Sequence, residues 1–108
     1  MVKQGDIIKL NFSPTAGHEQ SGYRPAVVVS NDFAISKSNV VYLAPITNTV
    51  RSFPLHVKLD GRTSTTGDIL CQQVKAIDLS ARKYVYVETL PSDLLDKVIT
   101  RIISCFDV

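Results

Sequence analysis

The chain has 108 residues, of which 44% are hydrophobic and 20% charged, and a net charge of +2 at neutral pH. These values exclude a disordered chain and point to one domain, residues 1–108, able to bury its own core. No apolar run reaches membrane-spanning length and "MVKQGDIIKL" lacks signal-peptide order, so a cytoplasmic protein without a membrane partner is expected. The charge neither supports nor excludes a nucleic-acid partner. Cys71 and Cys105 lack metal-like spacing and read as small buried hydrophobes, and two histidines without a ligand motif give no metal or cofactor expectation.

In chain order, "DIIKLNF" alternates imperfectly and predicts a first strand with Ile8, Leu10 and Phe12 on one face. "SPTAG" marks a turn, and "PAVVVS" is a short continuous apolar run suited to a strand buried on both faces. A helical turn over "DFAISK" precedes a second buried strand, "NVVYLAPI". "FPLHVKL" alternates, with Phe53, Leu55, Val57 and Leu59 against Pro54, His56 and Lys58. "DGRTSTTG" reads as a mobile loop, and "GDILCQQVKAID" as one bent strand or two joined by a kink. "KYVYVETL" closes the strand set. "PSDLLDKVITRIISCF" places Leu94, Leu95, Val98, Ile99, Ile102, Ile103 and Phe106 on one helical face, with Ser92 as N-cap. The expected fold is mainly β: a small barrel with a C-terminal α-helix.

Arg24 stands before Pro25, which fixes its own φ and pushes Arg24 towards an extended conformation. A guanidinium at a strand mouth suits a phosphate, although a surface arginine satisfies the same pattern. Thr47 ends "YLAPIT" and offers a hydroxyl to a phosphate or a cap to a turn. His18 and Glu19 are acid–base types in a loop flanked by Gly17 and Gly22.

Together, "GDIIKLNFSPTAGHEQSGYRPAVVVSND", "LAPIT", "FPLHVKL", "TTGDILCQQVKAIDLSAR" and the final aliphatic helix resemble the MazF/PemK toxins of bacterial toxin–antitoxin pairs over nearly the whole chain. "PTAGHEQSGYRP" is especially like the PemK/Kid branch. The resemblance implies an SH3-like barrel, a homodimer, metal-independent cleavage of single-stranded RNA and a cognate antitoxin. It assigns Arg24 to charge stabilisation and Thr47 to the phosphate, with Glu19 or His18 moving the 2′-OH proton or orienting Arg24. RNA-binding candidates are Gln20, Tyr23, Asn48, Arg51, Phe53 and Gln72, with Arg62 a further cation for flanking phosphates. One departure matters: Leu70-Cys71-Gln72 stands where the PemK/Kid branch has Arg-Cys-Asp, so Gln72 supplies no base. A non-catalytic binding module and a gyrase-inhibiting toxin of the same fold are the alternatives.

Overall fold

The computed structural model describes residues 1–13, 17, 22–49 and 53–106. Seven strands form one antiparallel sheet: β1 (Asp6–Asn11), β2 (Tyr23–Val28), β3 (Val40–Thr47), β4 (His56–Lys58), β5 (Asp68–Leu70), β6 (Lys75–Asp78) and β7 (Tyr84–Thr89). Helix α1 (Asp32–Lys37) follows β2, and α2 (Ser92–Ser104) follows β7. The spatial order is β4-β5-β3-β2-β1-β7, with β6 also paired to β3. Among the described residues the ladder ends at β4 and β7, so the barrel is an open, curled sheet with its expected C-terminal helix.

Burial on both faces explains the continuous apolar runs. Ile7, Val27, Ala44 and Ile46 enter one core, roofed by Leu94 and Val98 of α2. Ile8, Ala26, Val28 and Leu43 enter a second core on the other face, with Ile35 of α1. Alternation therefore separates two apolar sets rather than an apolar set from a polar one. The "GDILCQQVKAID" segment resolves into two strands along the same edge of β3: Asp68 and Ile69 pair with Thr47 and Ile46, while β6 pairs with Val40–Leu43. A 3₁₀ turn at Cys71–Gln73 supplies the kink between them.

Four expectations change. Phe53 lies outside the strand, which spans only His56–Lys58. Pro91, with extended ψ and no side-chain bond, occupies the N-cap, and Ser92 is the first helical residue. Cys105 is exposed because it sits past the last turn of α2, whereas Cys71 is buried and its thiol is pushed up to about 11 by burial. The 59–67 loop is extensively hydrogen-bonded to its neighbours, as described below.

Gly67 ends that loop at φ +117°, a left-handed conformation that side chains resist. A Cβ there would stand 2.5 Å from the Thr47 carbonyl oxygen. Gly67→Ala is therefore expected to destabilise the fold by of order 1–3 kcal/mol through backbone strain. Denaturant midpoints measure this, and an unshifted midpoint would contradict the close approach.

Candidate active site

The β2–β3 register runs Val28↔Leu43, Val27↔Ala44 and Ala26↔Pro45. This ladder ends at Ala26↔Pro45, and Arg24, two residues before Ala26, pairs with Leu10 of β1. Thr47 pairs with Asp68, and Asp68 with Lys58. Lys58, Asp68 and Thr47 thus form one row across three strands. Their sequence neighbours Val57, Ile69 and Ile46 pack into the core beneath α2, so alternation turns the row to the opposite face. The last turn of β3 consequently changes from apolar packing to chemistry without any change in backbone direction.

A cleft of about 630 Å³ opens along this row. Thr47, Asn48, Phe53, His56, Lys58 and Asp68 line it, together with the 59–67 loop. Thr47 is 5% exposed, and its Oγ1 accepts the Thr49 N–H at 3.2 Å and shares a hydrogen with the Thr49 hydroxyl at 3.0 Å. When the Thr49 hydroxyl is the donor, the Thr47 proton is available to an anion in the cleft. The same hydroxyl therefore caps its turn and faces the site.

Of the residues singled out from sequence, Thr47, Asn48 and Phe53 share the cleft. Arg24 is half-buried on β2, the strand beside β3, and is not among the residues lining this cleft. Gln72 is exposed, with its amide nitrogen 2.9 Å from His56 Nε2. Tyr23, 61% exposed, lies apart, in a groove with Asn11, Ser13, Arg82 and Lys83. His18, Glu19, Gln20 and Arg51 lie outside the described residues. Arg62 differs from expectation: its guanidinium donates to Asp60 at 2.9 Å and to both Asp93 oxygens at 2.8 and 2.9 Å, so carboxylates already engage it.

His56 and Asp68 carry chemistry that sequence reasoning left unassigned. The His56 side chain is only 7% exposed, tilted against the Phe53 ring, with Nδ1 3.6 Å from Asp68 Oδ2. The polar phase of "PLHVKL" pointed His56 away from the core, but nothing in the sequence paired that strand with Asp68.

The loop wall is held from outside the cleft. Glu88 on β7 accepts the backbone N–H groups of Ser64 and Thr65 at 3.1 and 2.8 Å, and their hydroxyls at 2.9 and 2.7 Å. Burial pushes the Glu88 carboxyl upward, but these donors outweigh it and lower it from 4.5 to about 2. Arg62 ties the same loop to Asp93 in the first turn of α2, and these bonds hold both aspartates below the usual carboxylate range.

A separate cleft of about 710 Å³ is mainly apolar, bounded by Tyr42, Val74, Ile99, Ile102, Ile103 and Phe106 among others, and among the described residues none that lines it is charged. The row at the end of β3 is therefore the better candidate for chemistry on an anion.

With this geometry in view, comparison with known proteins is informative. The family described as PemK-like, MazF-like toxin of type II toxin–antitoxin systems matches residues 3–106. The endoribonuclease PemK of Escherichia coli is 32% identical over 105 residues, covering 94% of this chain and 79% of that protein. A crystal structure of MazF from Deinococcus radiodurans superposes with a TM-score of 0.90 at 28% identity, covering 97% of this chain and 96% of the other. A MazE–MazF structure from the same organism gives 0.84 at 26% identity, covering 97% and 95%.

The lowered Glu88 carboxyl fixes a pH dependence. Its contribution to stability is full above its unfolded value near 4.5 and is lost as pH falls through about 2. Wild-type protein should therefore exceed Glu88→Gln in melting temperature near neutrality, and the difference should close between those two values. A constant difference down to the lower value would contradict the loop anchor.

Proposed function

The chain belongs to the PemK-like, MazF-like toxins of type II toxin–antitoxin systems, and on that premise we propose that it is an endoribonuclease cutting single-stranded RNA without a metal. The observation that supports this reading best is the row of Thr47, Asp68 and Lys58 along an open cleft at the end of β3, with Arg24 on the adjoining strand β2.

RNA carries its own nucleophile. The ribose 2′-oxygen attacks the adjacent phosphorus, forming the 2′-O–P bond as the P–O5′ bond breaks. The 2′ proton passes to a base, a proton reaches the departing 5′-oxygen, and the products are a 2′,3′-cyclic phosphate and a 5′-OH end. The protein then has to orient the phosphate, move protons and stabilise charge on the non-bridging oxygens. Arg24 supplies the forked cation for that charge, and Thr47 donates its hydroxyl to a phosphate oxygen. Proton transfer from the 2′-OH falls to His18 or Glu19 in the loop before β2, because Gln72 cannot act as a base.

Base contacts come from Gln20, Asn48, Phe53 and Gln72, with Arg51 on a flanking phosphate and Tyr23 on nucleotides reaching the neighbouring groove. The partner is a cognate antitoxin that covers the cleft, in keeping with the MazE–MazF assemblies of similar fold. The active form is a homodimer; the uncovered apolar end of α2, where Phe106 is 77% exposed, suits packing against a second copy.

Purified protein is expected to cut single-stranded RNA in EDTA and leave 5′-OH ends. Arg24→Ala should slow cleavage by roughly 10²–10³-fold, the scale of one preorganised charge-stabilising group, while circular dichroism stays unchanged. Intact RNA after prolonged incubation, or an Arg24→Ala rate equal to wild type, would reject the reading.

A further inference from the structure

Asp68 and His56 line one wall of the cleft, and the exposed Gln72 reaches His56 from beside it. Gln72 approaches His56 Nε2 with its amide nitrogen, at 2.9 Å. An amide nitrogen only donates, so Nε2 accepts and the neutral ring carries its proton on Nδ1. That Nδ1 is buried, has no hydrogen-bond partner within normal reach among the described residues, and faces Asp68 Oδ2 at 3.6 Å. The carboxylate fixes the tautomer, and the tautomer fixes which end of the Gln72 amide turns inward. Its Oε1 and second N–H are then left for a ligand.

Resting on the ribonuclease reading above, we infer that His56 is a positioning residue that sets the hydrogen-bond polarity of Gln72, and thereby which RNA base Gln72 accepts. With His56 neutral, Gln72 presents an acceptor and one donor, matching a base edge that carries an amino group. Protonating His56 makes Nε2 a donor. The glutamine amide then rotates about its broad terminal torsion, turns Oε1 inward, and presents two donors to a base edge bearing carbonyl or ring-nitrogen acceptors. One imidazole proton thus reverses a reading contact without moving the backbone.

The charged groups around the ring belong to every element that packs there. Asp68 on β5 stands 3.6 Å from Nδ1, and Lys58 lies two residues along β4. Asp60 lines the same cleft from the loop, and Arg101 of α2 donates to the Pro54 carbonyl at 3.1 Å, behind the strand. Phe53 stands tilted at 57° to the ring, 5.4 Å between centroids, and the imidazole nitrogens bond in the ring plane. The groups facing those nitrogens are Asp68 and Gln72.

Two measurements on the intact protein test this. Imidazole ¹⁵N spectra are expected to show the Nδ1–H tautomer of His56, and the Gln72 side-chain amide signals should shift with the same midpoint as the His56 titration. Sequencing 5′-OH ends from a diverse RNA pool should show a base preference at one position that changes roughly tenfold between conditions in which the ¹⁵N spectra report the neutral ring and the imidazolium, the scale of one hydrogen bond. Gln72→Ala, an exposed change, should flatten that position under both conditions, and His56→Asn should make it independent of pH. A neutral Nε2–H tautomer, a Gln72 amide deaf to His56, or identical site preferences in wild type and Gln72→Ala would overturn the inference while leaving the ribonuclease standing. No 5′-OH ends from wild type would reject the ribonuclease reading, and the base-reading role with it, whatever the spectra show.

Discussion

The antiparallel register of β2, β3, β5 and β4 is the constraint on which the candidate site depends. Because side chains alternate along each strand, one registration decides both what is buried and what faces the cleft. Ile46, Ile69 and Val57 fill the core beneath α2, and the residues next to them, Thr47, Asp68 and Lys58, are thereby held in a line on the other face. A one-residue slip would send the hydroxyl, carboxylate and ammonium into the apolar core and expose three aliphatic side chains. The hydrophobic effect therefore fixes the placement of the polar row, with Arg24 on the neighbouring strand β2.

The second requirement is a wall that stays in place. The 59–67 loop has a composition suited to motion, yet four hydrogen bonds from Ser64 and Thr65 to Glu88 attach it to the far edge of the sheet. Arg62 attaches it to the start of α2. The exposed ion pairs add little stability in water, but they occupy the guanidinium and so remove it from the set of cations available to a ligand. Gly67 completes the wall by letting the loop return against the backbone of Thr47, an approach that a side chain would block.

Much of the fold was legible in the sequence because its signals were local. The "VVV" run before "SND", the alternation around Val57 and the helical stripe from Leu94 onward each follow from short-range periodicity, and the kink within "GDILCQQVKAID" followed from the break in its pattern. What the sequence could not show were contacts between distant segments. Glu88 reads as an ordinary exposed strand residue until Ser64 and Thr65 reach it. His56 falls on the polar phase of its strand, but its carboxylate and amide partners, Asp68 and Gln72, come from the next strand and its kink. Ser92 was expected as N-cap on side-chain chemistry alone, whereas the extended backbone of Pro91 takes that position. For the site, family resemblance selected Arg24 and Thr47; what the strand registers add, and residue spacing does not encode, is the line of Thr47, Asp68 and Lys58 along the cleft.

The central claim is that Arg24 and Thr47 act on the same phosphodiester. A double-mutant cycle on single-turnover RNA cleavage, using Arg24→Ala, Thr47→Val and the double variant, measures this directly. Groups sharing one transition-state phosphate should be strongly non-additive, so the double variant should lose much less than the product of the two single losses. Fully multiplicative losses would mean that the two side chains act independently, and would contradict the account.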